Sequence, residues 1–150
     1  MWNDQFSGAV TVDPQGRAAA PAARFADRSA TLAVVGLGHV GLPLAQAAAE
    51  AGFRTVGLDV DTVKVARLNA GESPLPHLPA GPLRRHLATG RLRATTDPEE
   101  ALAGADAVLI CVPTPLGPRH EPDLGCVRAA AQAAAAKLRP GRLVVLESTT

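Results

Sequence analysis

Residues 34–45 read VVGLGHVGLPLA: three glycines, Gly36, Gly38 and Gly41, fall within six positions directly after a run of small apolar residues. With 14 glycines in 150 residues, about 0.1 chance matches to this spacing are expected along the chain, so the spacing alone is a weak signal. What stands on either side decides its reading. Upstream, TLAVVGL (31–37) is continuously apolar rather than alternating, as suits a strand covered on both faces. Downstream, 39–51 reads as a helix stopped by Gly52.

The same alternation continues outward. RTVGLDV (54–60) is a second strand, followed by a helix from Asp61, a good N-cap, to about Ala70. Four prolines and two glycines make GESPLPHLPAGP (71–82) a connecting loop. A short helix near 82–89 leads into a third strand, RLRATT (91–96). DPEEALAGA (97–105) is a compact helix with Asp97 as N-cap and Pro98 at its first position. DAVLICVP (106–113) is a fourth strand ended by its proline, 123–141 an alanine-dense helix, and RLVVLEST (142–149) a fifth buried strand. Strands alternating with helices predict an α/β fold: a Rossmann-type doubly wound parallel sheet of about five strands with helices on both faces, truncated before a sixth. Residues 1–29, polar and then rich in Ala, Pro and Arg, show no sustained period and read as a disordered arm before a domain at 30–150.

In such a sheet a ligand lies outside the carboxyl ends of the strands, where the strand order reverses. Gly36, Gly38 and Gly41 end the first strand, Asp59 the second, Pro113 and Thr114 the fourth, Ser148 and Thr149 the fifth, all on one expected edge. Gly36 permits the tight turn, Gly38 lets a pyrophosphate approach the backbone, and Gly41 lets the helix pack on its strand. The phosphates would meet N–H groups at the helix's positive end. Asp59 follows Gly36 by 23 residues, near the spacing at which a carboxylate accepts bonds from an adenosine ribose. Its charge repels a 2′-phosphate, so NAD is expected over NADP, with Lys64 able to soften that preference. A methyltransferase of the same sheet class needs no third glycine, and the GxxxxGK[ST] loop of nucleotide hydrolases is absent.

The chain carries 15 basic and 14 acidic residues, a formal charge of +1, and so gives no electrostatic footprint for nucleic acid. No apolar run nears the roughly 20 residues that span a bilayer, and the first residues lack a signal-peptide order, so a cytoplasmic location without a membrane partner is expected. Two cysteines, Cys111 and Cys126, are too few for a disulfide framework, and the four histidines have no metal-ligand spacing. His39 lies in the glycine loop; His77, His86 and His120 read as surface or helix-end residues.

VVGLGHVGLPLA, GFRTVGLDVDTVKVARLNAGE, RLRATTD, CVPTPLGPRHEPDL and LRPGRLVVLESTT together resemble the N-terminal domain of the UDP-glucose/GDP-mannose dehydrogenase family, the nucleotide-sugar 6-dehydrogenases. GLPLA, HLP, EPDL and ESTT look most similar to the branch acting on UDP-N-acetylglucosamine or UDP-N-acetylmannosamine. The resemblance implies two-fold oxidation of a sugar C6 alcohol to a carboxylate, with two NAD reduced and a cysteine thiohemiacetal between the steps. It implies NAD contacts at Val40, Asp59, Lys64, Thr114 and Thr149; His39, also counted with the cofactor-binding loop, departs from the family pattern, since relatives usually carry Tyr there. Neither cysteine matches the family nucleophile, so no catalytic residue and no metal ligand is assigned. The catalytic residues, the substrate domain that takes the UDP-sugar and the helix through which relatives form homo-oligomers would lie beyond Thr150. The chain therefore reads as a fragment, inactive alone, with a strand-5 edge lacking its neighbour. The alternative is a stand-alone NAD-binding, redox-sensing module without catalysis. CVPTPL and LESTT argue against a β-hydroxyacid-type dehydrogenase.

Overall fold

The structure, a computed structural model, describes residues 19–117 and 119–148. After an opening helix α1 (Ala19–Ala26), β1 (Thr31–Val35) leads through the glycine turn into α2 (Gly41–Glu50) and β2 (Arg54–Leu58). Helices α3 (Thr62–Asn69) and α4 (Ala80–Ala88) precede β3 (Leu92–Thr95); α5 (Pro98–Leu102) precedes β4 (Ala107–Ile110), and α6 (Gly125–Ala135) precedes β5 (Leu143–Leu146). All pairings are parallel, in the order β3-β2-β1-β4-β5. The expected doubly wound sheet is the observed one.

Alternation along each strand builds two apolar layers. Ala33, Val35, Val56, Leu58, Val108 and Ile110 meet Ala101, Leu102, Ala130 and Ala134 of α5 and α6 on one face. On the other, Val34 and Leu92 pack with Leu42, Ala45, Leu68 and Leu83 of α2, α3 and α4. Small alanines on α6 allow close helix-to-sheet approach, and the burial itself supplies the main driving force. Two helices start where their caps dictate: Asp61 accepts from the Val63 and Lys64 amides, and Asp97 from the Glu99 amide.

Four local expectations are corrected. Residues 19–29 are not a disordered arm: α1 docks on the sheet, while 1–18 lie outside the described residues. Pro21 is tolerated because it falls in the first helical turn. Phe25 packs beside Leu32, Ala48 and Ala107 and meets the Phe53 ring at 6.4 Å, and Arg24 Nη1 donates to Asp106 Oδ1 at 2.6 Å. Helix α4 begins at Ala80 rather than 82, with Pro82 again in a first turn. Helix α6 ends at Ala135, short of 141, because Lys137 and Leu138 donate back three residues and tighten the exit. Most consequentially, β5 is not buried: it pairs only with β4, and Leu143, Val144 and Leu146 are 50%, 42% and 47% exposed.

His86 is a helix-end residue as expected, in the last turn of α4, but it does not lie at the surface. It is buried on α4, with Nε2 2.7 Å from the Glu50 carboxylate of α2, which also accepts from Arg85 at 2.5 Å. The Arg85 hydrogen bond is the main cause that holds Glu50 below the ordinary carboxylate range.

A buried acid joins the opposite, amino edge of the sheet. Asp106 is 5% exposed, and its oxygens accept from Arg24, from Arg139 Nη2 at 3.1 Å and from the Thr31 amide at 2.9 Å. One carboxylate thus ties α1, β1, β4 and the α6–β5 turn, where a buried charge without partners would be costly. Asp106→Ala is expected to lower unfolding free energy by about 1–3 kcal/mol, read as a drop in the urea midpoint; an unchanged midpoint contradicts the assignment.

Candidate dinucleotide site at the carboxyl edge

The strand register places the site. Val35 lies abreast of Leu58 on one side and Ile110 on the other, with Ile110 abreast of Leu146. The residues that follow, Gly36, Asp59, Cys111 and Glu147, therefore emerge along one rim. The ends of β1, β2, β4 and β5, which the sequence places on one edge, come together there.

The glycine turn is forced by close packing. Gly36 has φ of +92°, and a Cβ there would sit 2.7 Å from the Cys111 carbonyl oxygen, so neither its conformation nor its space admits a side chain. A Cβ on Gly41 would overlap the Gly36 carbonyl, because α2 starts directly against the turn. Gly38 differs: its Cβ would meet nothing within 4 Å. Its absence leaves open space in front of the backbone, where Gly36 and Gly41 serve packing.

Helix α2 begins at this opening. Val40 occupies its N-cap with no side-chain cap, and the Leu42 amide donates to the Gly38 carbonyl at 3.1 Å. An uncapped helix start presents backbone N–H groups and partial positive charge, which suits an anion. His39 and Val40 are exposed, Val40 by 55%. His39 stacks on His77 of the 71–79 loop, with ring centroids 5.6 Å apart and planes 11° from parallel.

Asp59 is buried beside the turn. Its Oδ2 accepts from the Leu37 amide and from Lys64 Nζ, both at 2.8 Å, and Oδ1 accepts from the Asp61 amide at 3.0 Å. Burial pushes its pKa up; the Lys64 ammonium and the Asp61 and Leu37 amides outweigh this and hold it below the usual carboxylate value. The Leu37 bond was not legible in the sequence, since it depends on how the turn folds back over β2. Oδ1 keeps acceptor capacity beyond its bond to Asp61, as a ribose hydroxyl would require.

Beyond β4, Pro113 is exposed and Thr114 half-buried on the segment leaving the same rim. Ser148, after β5, donates from Oγ to the Val112 carbonyl at 2.7 Å, pinning that segment. Thr149 lies outside the described residues. Cys111 is buried under the glycine turn, and burial, with Glu147 adding to it, raises its thiol pKa; a protonated thiol is a poor nucleophile. Cys126 is exposed.

A glycine turn against an uncapped helix, with a buried acid ending the adjacent strand, defines a dinucleotide-binding α/β domain. Residues 30–150 match the UDP-glucose/GDP-mannose dehydrogenase family, NAD binding domain, and the chain belongs to that family. It is 44% identical over 125 residues to the NDP-N-acetyl-D-galactosaminuronic acid dehydrogenase of Ralstonia nicotianae, covering 80% of this chain and 28% of that protein. It is 43% identical over 123 residues to the UDP-N-acetyl-D-mannosamine dehydrogenase of Escherichia coli K12, covering 81% of this chain and 28% of the relative. The ternary-complex crystal structure of GDP-mannose dehydrogenase from Pseudomonas aeruginosa superposes with a TM-score of 0.74 at 32% identity, over 79% of this chain and 28% of that one. The chain thus spans 28% of the length of these relatives.

Gly36→Ala should destabilise the fold by about 1–3 kcal/mol through a strained φ and the Cys111 clash, whereas Gly38→Ala should stay within about 0.5 kcal/mol; equal effects in urea unfolding would refute the distinction. Because the folded pKa of Asp59 lies below its unfolded value of about 3.9, its charge-dependent stabilisation is complete above about pH 5 and disappears as pH falls through the lower folded value. The stability gap between wild type and Asp59→Asn should be flat from about pH 5 to 8 and narrow below about pH 4; a gap that widens in acid contradicts the ion pair.

Proposed function

We propose that residues 30–150 hold NAD for a nucleotide-sugar 6-dehydrogenase whose substrate is a UDP-N-acetylhexosamine. The carrying observation is the division of labour among the glycines: Gly36 and Gly41 are closed by packing, and only Gly38 faces open space at the start of α2. A diphosphate needs that approach and that helix end. Asp59 would take the adenosine ribose hydroxyls, with Lys64 engaged as its counter-ion. Thr114 follows β4 and would face the nicotinamide end, and the family resemblance gives Thr149 a cofactor contact as well. NAD supplies the hydride acceptor for alcohol oxidation; the residues described here bind and orient it.

The relatives reported above, two of them named for N-acetylated sugars, support the substrate class. The sugar grip and the cysteine nucleophile would come from protein outside these 150 residues, in a cytoplasmic homo-oligomer. Exposed Leu143, Val144 and Leu146 support a further body of protein against β5, which favours this reading over a stand-alone sensing module. Among the described residues no helix is long and apolar enough to cross a membrane.

Isothermal titration tests the cofactor. NAD should bind more tightly than NADP, and Asp59→Ala should weaken NAD by about 1–3 kcal/mol, the scale of charge-assisted hydrogen bonds. Equal NAD and NADP affinities, or binding of S-adenosylmethionine instead, would overturn the proposal.

A further inference from the structure

The 71–79 loop is fixed to the same apolar layer as the glycine turn. Leu75 is buried in the cluster that contains Leu37 and Leu42, and Leu78 packs against it. Ser73 Oγ accepts from the Leu75 amide at 3.2 Å and donates to its carbonyl at 3.0 Å, while the Leu78 amide donates to the Leu75 carbonyl at 3.0 Å. Arg84 Nε donates to the Gly71 carbonyl at 3.1 Å, closing the loop's other end. Two leucine pins therefore flank His77 and leave its ring exposed. The turn is built alike, with Leu37 and Leu42 buried and His39 exposed between Gly38 and Val40. Pinned to one core, the two loops bring their imidazoles together at 5.6 Å and 11°. This lies within the range of favourable offset ring stacking.

We infer that His77 is a positioning residue for the dinucleotide cradle: its ring stacks on His39 and latches the 71–79 loop over the glycine turn, fixing His39 beside the open space in front of Gly38. This rests on the proposed NAD role of the turn. A loop free to swing would expose the turn to water and leave the His39 backbone to be ordered at binding, lowering affinity. The stack orders it beforehand.

Two measurements on the 150-residue chain separate the latch from the cofactor role. Hydrogen exchange without ligand should be faster across 71–79 in His39→Ala than in wild type; unchanged exchange there overturns the latch. In titrations with NAD and with ADP-ribose, His77→Ala should bind about two- to tenfold more weakly, the range of one aromatic pair, with an unchanged urea midpoint. His77→Phe, which keeps a stacking ring, should restore binding. Unaltered affinity in His77→Ala, or a loss that His77→Phe does not repair, overturns the positioning role. A wild-type chain that fails to bind NAD refutes the proposed cofactor function, while the exchange measurement still decides the latch.

Discussion

The carboxylate of Asp59 is the point on which the site depends. It stands at the end of β2, buried, and must find partners for its charge. It finds them in three directions: the Leu37 amide of the glycine turn, the Asp61 amide at the start of α3, and the Lys64 ammonium one turn into that helix. One side chain therefore couples two strand ends and a helix start. The glycine turn is held between this carboxylate and the Cys111 carbonyl at the end of β4, and that confinement is why Gly36 admits no side chain. The same confinement aims the start of α2 outward.

From this point the architecture follows by register. Parallel pairing in the order β3-β2-β1-β4-β5 puts the switch in strand direction of winding between β1 and β4, beside the turn. The apolar layers on both faces fix the strands against slippage, because a one-residue shift would turn each buried set outward. At the opposite edge Asp106 performs a comparable task with Arg24, Arg139 and the Thr31 amide, away from the proposed cofactor. Two buried acids, one at each edge, tie loops to strands.

Much of this was legible in the sequence for identifiable reasons. Continuous apolar runs gave the strands, and Asp61 and Asp97 marked helix starts because a capping side chain acts on its own neighbours. Glycine spacing and Asp59 pointed to the rim because register alone aligns strand ends. What escaped depended on distant partners. Helix α1 is held by Phe25 and the Arg24–Asp106 pair, 82 residues apart in sequence. His86 is enclosed through Glu50 on another helix, and the His39–His77 stack requires two loops to meet. The apolar run of β5 resembles a buried strand, yet it is an edge strand with three exposed apolar side chains. Hydrophobicity records what a segment can bury, and the sheet order decides what covers it.

The central claim is that the described carboxyl edge, and no other surface, receives NAD through the turn at 36–41. Amide chemical shifts of the labelled chain measured during NAD titration test it directly. The account predicts saturable changes concentrated at residues 36–41, Asp59–Asp61 and Thr114, with the amino-edge residues Thr31 and Asp106 unmoved. Changes centred on the amino edge, or spread evenly with no focus at the turn, would contradict it.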